Sequence, residues 1–149
     1  MNKKGVIAIM LLFTALLVSG CAIDEPEQKS LQNTPQTSPA AVYQKIAASE
    51  ARRIMEETDG YILLDVRTQE EFEQAHIKGA MLLPVTDIKD NAEDKLKDKD
   101  AVILVYCRSG SRSAQASQQL ADMGYTKVND FGGIIDWPYD TVSGTEVKQ

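Results

Sequence analysis

Two apolar runs, Tyr61-Ile62-Leu63-Leu64-Asp65-Val66, broken only by Asp65, and Ala101-Val102-Ile103-Leu104-Val105-Tyr106, constrain this chain most. A strand with one face in water alternates apolar and polar residues. A continuous run is buried on both faces, as in a parallel sheet held between two layers of helix. The segments around these runs fit that arrangement. Val42 to Ile46 reads as a short strand, and a helix is expected from about Ser49 to Thr58 with Ile54 and Met55 on its buried side. Asp59-Gly60 breaks the chain. Thr68 with Glu71 three residues later forms a capping box and predicts a helix from Gln69 to about Ala75. Ala80 to Pro84 suits a short strand, and Ala92 to Lys97 a solvent-facing helix. Ser113 to Met123 reads as a helix closed by Gly124, and Tyr125 to Asn129 as the last strand. Strands alternating with helices predict an α/β fold, a mostly parallel sheet with helices on both faces.

The chain ahead of this pattern is of another kind. Residues 1–20 carry Lys3 and Lys4, an apolar stretch from Val6 to Val18, and Ser19-Gly20 before Cys21. That is the three-part layout of a secretory signal peptide, and its apolar stretch is shorter than the roughly 20 residues that span a bilayer. Val18-Ser19-Gly20-Cys21 resembles the lipobox of bacterial lipoproteins, which implies cleavage before Cys21 and a lipid on its sulfur. Residues 22–41 hold three of the five prolines among Gln, Ser, Thr and Asn, with almost no large apolar residue. They are expected to form a flexible linker. By length, residues 42–140 make one domain, and the polar residues 141–149 are expected to fray. An exported domain on a lipid anchor follows, outside the cytoplasm and attached to a bacterial membrane.

Removing Lys3 and Lys4 from the 16 basic residues leaves 14 against 22 acidic ones, a formal charge of −8. An acidic domain without a basic stripe argues against nucleic acid as a partner. The local exception is Arg108 and Arg112, which cluster just after the second apolar run.

Cys107 ends that run and opens Arg108-Ser109-Gly110-Ser111-Arg112-Ser113. With Cys21 given to a lipid, Cys107 has no partner in its own chain, in a compartment where thiols usually pair. In an α/β sheet, ligands bind beyond the carboxyl ends of the strands. A short polar loop there, followed by a helix, can turn its N–H groups and the helix N-terminus toward an anion. The same field, with Arg108 and Arg112 if they point inward, lowers the pKa of a thiol. The competing reading is an inert buried cysteine that ends a core strand.

The domain resembles the rhodanese family. Asp65-Val66-Arg67, Glu70-Glu71-Phe72 and Ala75-His76-Ile77-Lys78-Gly79-Ala80 look like its N-terminal signature. Cys107 to Ser113 looks like its active-site loop, and Gly132-Gly133 with Trp137 like its closing motif. The resemblance implies a three-layer α/β sandwich and a sulfurtransferase. In such an enzyme Cys107 takes sulfane sulfur as a persulfide and passes it to cyanide or a thiol, with no metal and no organic cofactor. The loop of Cys, four residues and Arg matches the sulfur-handling members; related phosphatases carry one residue more. Mercaptopyruvate-specific members resemble Cys-Gly-Ser-Gly-Val-Thr, whereas the paired arginines here point to thiosulfate as donor. Arg108 or Arg112 would offset the charge on departing sulfite. His76 lies in a stretch that is a structural turn in the family and is expected as a scaffold residue bonded to backbone, with proton transfer as the alternative. No metal is expected, since one His and one free Cys are a poor ligand set. Asp65 and Arg67 are expected to brace one another and the loop. Trp137 is expected in the core, with lining the pocket as the alternative. From a different class, the domain would hold persulfide or oxidise at Cys107 without turning over, as a carrier or sensor.

Overall fold

The computed structural model describes residues 42–145. The signal-peptide, lipidation and linker readings for residues 1–41 lie outside the described residues. Five strands form one parallel sheet: β1 (Gln44–Lys45), β2 (Ile62–Asp65), β3 (Met81–Leu82), β4 (Val102–Cys107) and β5 (Lys127–Gly133), in the order β1-β5-β4-β2-β3. The connecting helices are α1 (Ala48–Glu57), α2 (Gln69–Gln74), α3 (Ile88–Lys95) and α4 (Ser111–Asp122).

Alternate residues of the central strands feed two cores, one on each face. Leu64, Ile103, Val105 and Cys107 pack with Ile88 and Ala92 of α3 and Ala116 and Leu120 of α4. Leu63, Leu104 and Tyr106 pack with Ala51 of α1, Phe72 of α2, Phe131 and Trp137. Each central strand is covered on both sides, which is why its sequence is nearly all apolar. Helix α2 starts at the full capping box: Thr68 accepts from the Glu71 N–H, and the Glu71 carboxylate accepts from the Thr68 N–H.

Four boundaries differ from the sequence reading, each for a physical reason. Helix α3 begins at Ile88, well before Ala92, because Ile88 and Ala92 lie one turn apart and both are buried. Helix α4 begins at Ser111, directly after Gly110 in the left-handed region at φ 100°. Strand β5 runs on to Gly133, pairing it with Cys107 across a register shift, so Cys107 is the last residue of β4 and not the first of the loop. Residues 141–145, the described part of the tail expected to fray, are fastened at Val142; residues 146–149 lie outside the described residues. His76 and Val142 exchange backbone hydrogen bonds of 2.7 and 2.8 Å, and the Gly144 N–H donates to the Glu73 carbonyl at 2.9 Å. Among the described residues, no helix is long and apolar enough to cross a membrane.

Candidate active site

Strand β4 carries Cys107 to the carboxyl edge of the sheet, and the loop that follows folds back over its sulfur. The turn at Gly110 aims that residue's N–H at Cys107 Sγ, 3.1 Å away. Burial would push the thiol up, but N–H groups of Ser113, Gly110 and Ser109 and the Ser113 hydroxyl outweigh it. The net effect holds Cys107 below the ordinary thiol range. Helix α4, 12 residues long, starts at the same loop, so its N-terminal dipole acts in the same sense. The thiol is buried, at 1% exposure, with the apolar core behind it and the loop's donors on its other side.

The Gly132-Gly133 pair holds this loop from outside. A Cβ on Gly133 would lie 2.6 Å from Ser109 Cα and 2.9 Å from Arg108 C. Only a bare backbone lets the loop rest directly on β5. The Ile135 N–H donates to the Arg108 carbonyl at 3.3 Å. The buried Ser113 hydroxyl lies within hydrogen-bond distance of the carbonyls of Gly110 (3.0 Å) and Gly132 (3.2 Å), where the loop, α4 and β5 meet, and its single proton serves either of these or the Cys107 sulfur.

The two loop arginines have different fates. Arg112 is clamped by Glu71 through two parallel bonds of 2.6 and 2.8 Å. Hydrogen bonding to Arg112 holds the Glu71 carboxyl far below the usual range, at about 2, against the opposing effect of its partial burial. Glu71 thus closes the capping box of α2 and also fixes the side chain that ends the cysteine loop. The sequence marked the first role by spacing and gave no sign of the second, a contact across 41 positions. Arg108 is exposed and has no ionic or hydrogen-bonding partner for its side chain among the described residues.

Asp65 and Arg67 form a buried pair, with Arg67 Nη2 2.6 Å from Asp65 Oδ2 and Nε 2.9 Å from Oδ1. Arg67 also donates to the Ala75 carbonyl at 2.6 Å. The Tyr106 hydroxyl accepts from the Ile77 N–H at 3.1 Å. Burial, and then the Asp65 charge, push the Tyr106 phenol up. These bonds brace the β2 end against the turn at residues 75–77, and none of them reaches the Cys107 loop. His76 is fully buried and stacked on Phe72 at 3.8 Å, with Nδ1 2.9 Å from the Phe72 carbonyl. That acceptor places the ring proton on Nδ1 and leaves Nε2 enclosed without a partner among the described residues. Trp137 lies against Phe131 and Tyr139, within the core, and lines neither of the cavities beside the loop.

Those cavities flank the loop on two sides. One, of about 490 Å³, runs along Ser109, Gly110 and Ser111 toward Lys45 and Asp130. The other, of about 310 Å³, is lined by Arg67, Glu71, Gln74, Arg108, Ile134 and Ile135, among others.

Comparison with known proteins agrees with this geometry. Residues 47–137 match the family model described as a rhodanese-like domain. The chain is 37% identical over 81 residues to the thiosulfate sulfurtransferase PspE of Escherichia coli, covering 54% of this chain and 78% of that protein. It is 44% identical over 82 residues to a sulfurtransferase of Allochromatium vinosum, covering 54% and 75%. It is 32% identical over 114 residues to the putative sulfur carrier protein YrkF of Bacillus subtilis, covering 76% and 56%. Among solved structures, a rhodanese with anions from E. coli aligns over 57% of this chain and all of that one, at a TM-score of 0.54 and 35% identity. The Alr3790 protein from Anabaena aligns over 66% and 92%, at 0.62 and 28%. By the match across residues 47–137, and with its cysteine loop set at the end of the central strand, the chain belongs to the rhodanese-like domain family.

Proposed function

We propose that this protein is a thiosulfate sulfurtransferase that carries sulfur on Cys107. The observation that carries the reading is the inward turn of the loop onto Sγ, with Gly110 N–H at 3.1 Å and the thiol held below its ordinary range. A thiolate so placed attacks the outer sulfur of thiosulfate. The sulfur–sulfur bond of the donor breaks, sulfite leaves with the electron pair, and a persulfide remains on Cys107. The donors that stabilise the thiolate then stabilise the charged outer sulfur. Cyanide or a thiol takes that sulfur in the second step. No metal or organic cofactor takes part, since the sulfur travels on the protein. Arg108, Ser109, Gly110, Ser111, Arg112 and Ser113 form the anion-binding loop, while Asp65, Arg67, His76 and Trp137 belong to the scaffold around it and make none of the loop's own bonds. The six-residue span from Cys107 to Arg112 and the names of the relatives favour sulfur over phosphate as cargo.

The test is thiosulfate:cyanide transfer by the full-length chain beside Cys107→Ser. Turnover that disappears in the variant supports the reading. Equal turnover in both removes Cys107 from it, and no turnover in either removes thiosulfate as donor. The relative named as a putative sulfur carrier favours one second reading, a persulfide carrier that does not turn over. A stoichiometric persulfide that cyanide and thiols leave in place would select it. We also propose that residues 1–20 direct export and that Cys21 carries the lipid. Metabolic labelling with palmitate, lost in Cys21→Ser, checks this; label retained in the variant contradicts it.

A further inference from the structure

Two guanidinium groups, those of Arg67 and Arg108, line the 310 Å³ cavity beside the cysteine loop, together with the Glu71 carboxylate. Arg67 is bound to Asp65, and the Glu71 carboxylate is taken up by Arg112. Arg108 is left with its charge unmatched among the described residues, so the cavity presents one net positive charge. Ile134 and Ile135, the second of them 64% exposed, line the same cavity. An inorganic oxyanion has no use for such a wall, because it needs donors on every side. An organic chain ending in a carboxylate fits both surfaces, and a volume near the low end for ligand cavities suits a small one.

We propose that this cavity is the acceptor subsite and that it takes a small thiol bearing a carboxylate, held by Arg108 against Ile134 and Ile135. The inference rests on the sulfurtransferase reading above. The acceptor thiolate attacks the outer sulfur of the Cys107 persulfide. The bond from Sγ to that sulfur breaks, its electron pair returns to Sγ as the thiolate, and the acceptor leaves as its own persulfide. No outside oxidant or reductant is consumed.

The experiment isolates this second step. The full-length protein and its Arg108→Lys, Arg108→Gln and Arg108→Glu variants are loaded with sodium tetrasulfide, and intact mass confirms one added sulfur on Cys107. Discharge is then timed with 3-mercaptopropionate and with uncharged 2-mercaptoethanol, each rate corrected for its thiolate fraction and divided by that for cyanide in the same variant. The expected preference for the acid is about fivefold, the upper range for a part-exposed ion pair. It should persist in Arg108→Lys, vanish in Arg108→Gln and reverse in Arg108→Glu. A ratio of acid to neutral thiol that is the same in all four proteins overturns the subsite and leaves the sulfurtransferase reading standing. Failure of Cys107 to take up sulfur, in folded protein, overturns both.

Discussion

Gly133→Ala is the smallest change that tests whether the cysteine loop depends on direct backbone contact with β5. The added Cβ would sit 2.6 Å from Ser109 Cα and 2.9 Å from Arg108 C, and nearer still to the Arg108 carbonyl oxygen. Carbon atoms rest at about 3.5 Å or more, so Ser109 must retreat by about 0.9 Å. Every clashing atom belongs to the backbone, and no side chain can swing aside. Overpacking of this kind costs about 1–3 kcal/mol. For a domain of roughly 100 residues that lowers Tm by about 5–20 °C. The same displacement moves the donors around Cys107, and a misplacement near 1 Å costs about a hundredfold in rate. Gly132→Ala is the matched control: its Cβ meets nothing within 4 Å, although its φ of +90° adds backbone strain of about 1–2 kcal/mol. Thermal unfolding by circular dichroism and kcat/KM for thiosulfate:cyanide transfer read the two effects. Gly133→Ala should lose about a hundredfold in activity, and Gly132→Ala less than tenfold. A Gly133→Ala protein within twofold of the parent in rate, with unchanged Tm, refutes the close-contact argument.

Three further outcomes follow from the site. Glu71→Gln should destabilise the fold by about 1–2 kcal/mol at neutral pH, the depression of its carboxyl discounted for solvent screening of a part-exposed pair. Because the folded-state value is depressed from 4.5 to about 2, that gap should be constant above pH 4.5 and close as pH falls through about 2. Urea unfolding at several pH values checks it, and a gap that widens in acid contradicts it. The rate of Cys107 alkylation by iodoacetamide should rise with a midpoint below the ordinary thiol value of 9.0, and Ser113→Ala should move that midpoint upward. Arg67→Met leaves the Asp65 carboxylate buried and unpaired, which costs about 3–5 kcal/mol. Denaturant unfolding at neutral pH should show it, and a loss under 1 kcal/mol would mean that Asp65 finds another partner.

The parts of this fold that sequence reveals are those set by local pattern. The runs at residues 61–66 and 101–106 announced strands covered on both faces, and Thr68 with Glu71 announced the start of α2. Cys107 stood out because an apolar run ended in a polar, glycine-containing loop. What sequence hid depends on contacts between distant segments. The Glu71–Arg112 clamp spans 41 positions, and nothing near either residue marks the other. The 81–97 region lost its register because charged residues obscured the buried spacing of Ile88, Ala92 and Leu96. Val142 sits in a polar tail, and backbone bonds from Val142 to His76 and from Gly144 to Glu73 show that this part of the tail is fastened. Gly133 looked like half of a turn; its need to be glycine comes from the loop lying on it and not from its own backbone angles.

The most direct test of the account is a single-turnover experiment with thiosulfate and no acceptor. Intact mass would report sulfur on the protein, and released sulfite would be measured in parallel. The account predicts one sulfite released and one sulfur gained per chain, the added atom on the peptide that contains Cys107. Sulfite release without a Cys107 persulfide, or no sulfite from folded protein, would contradict it.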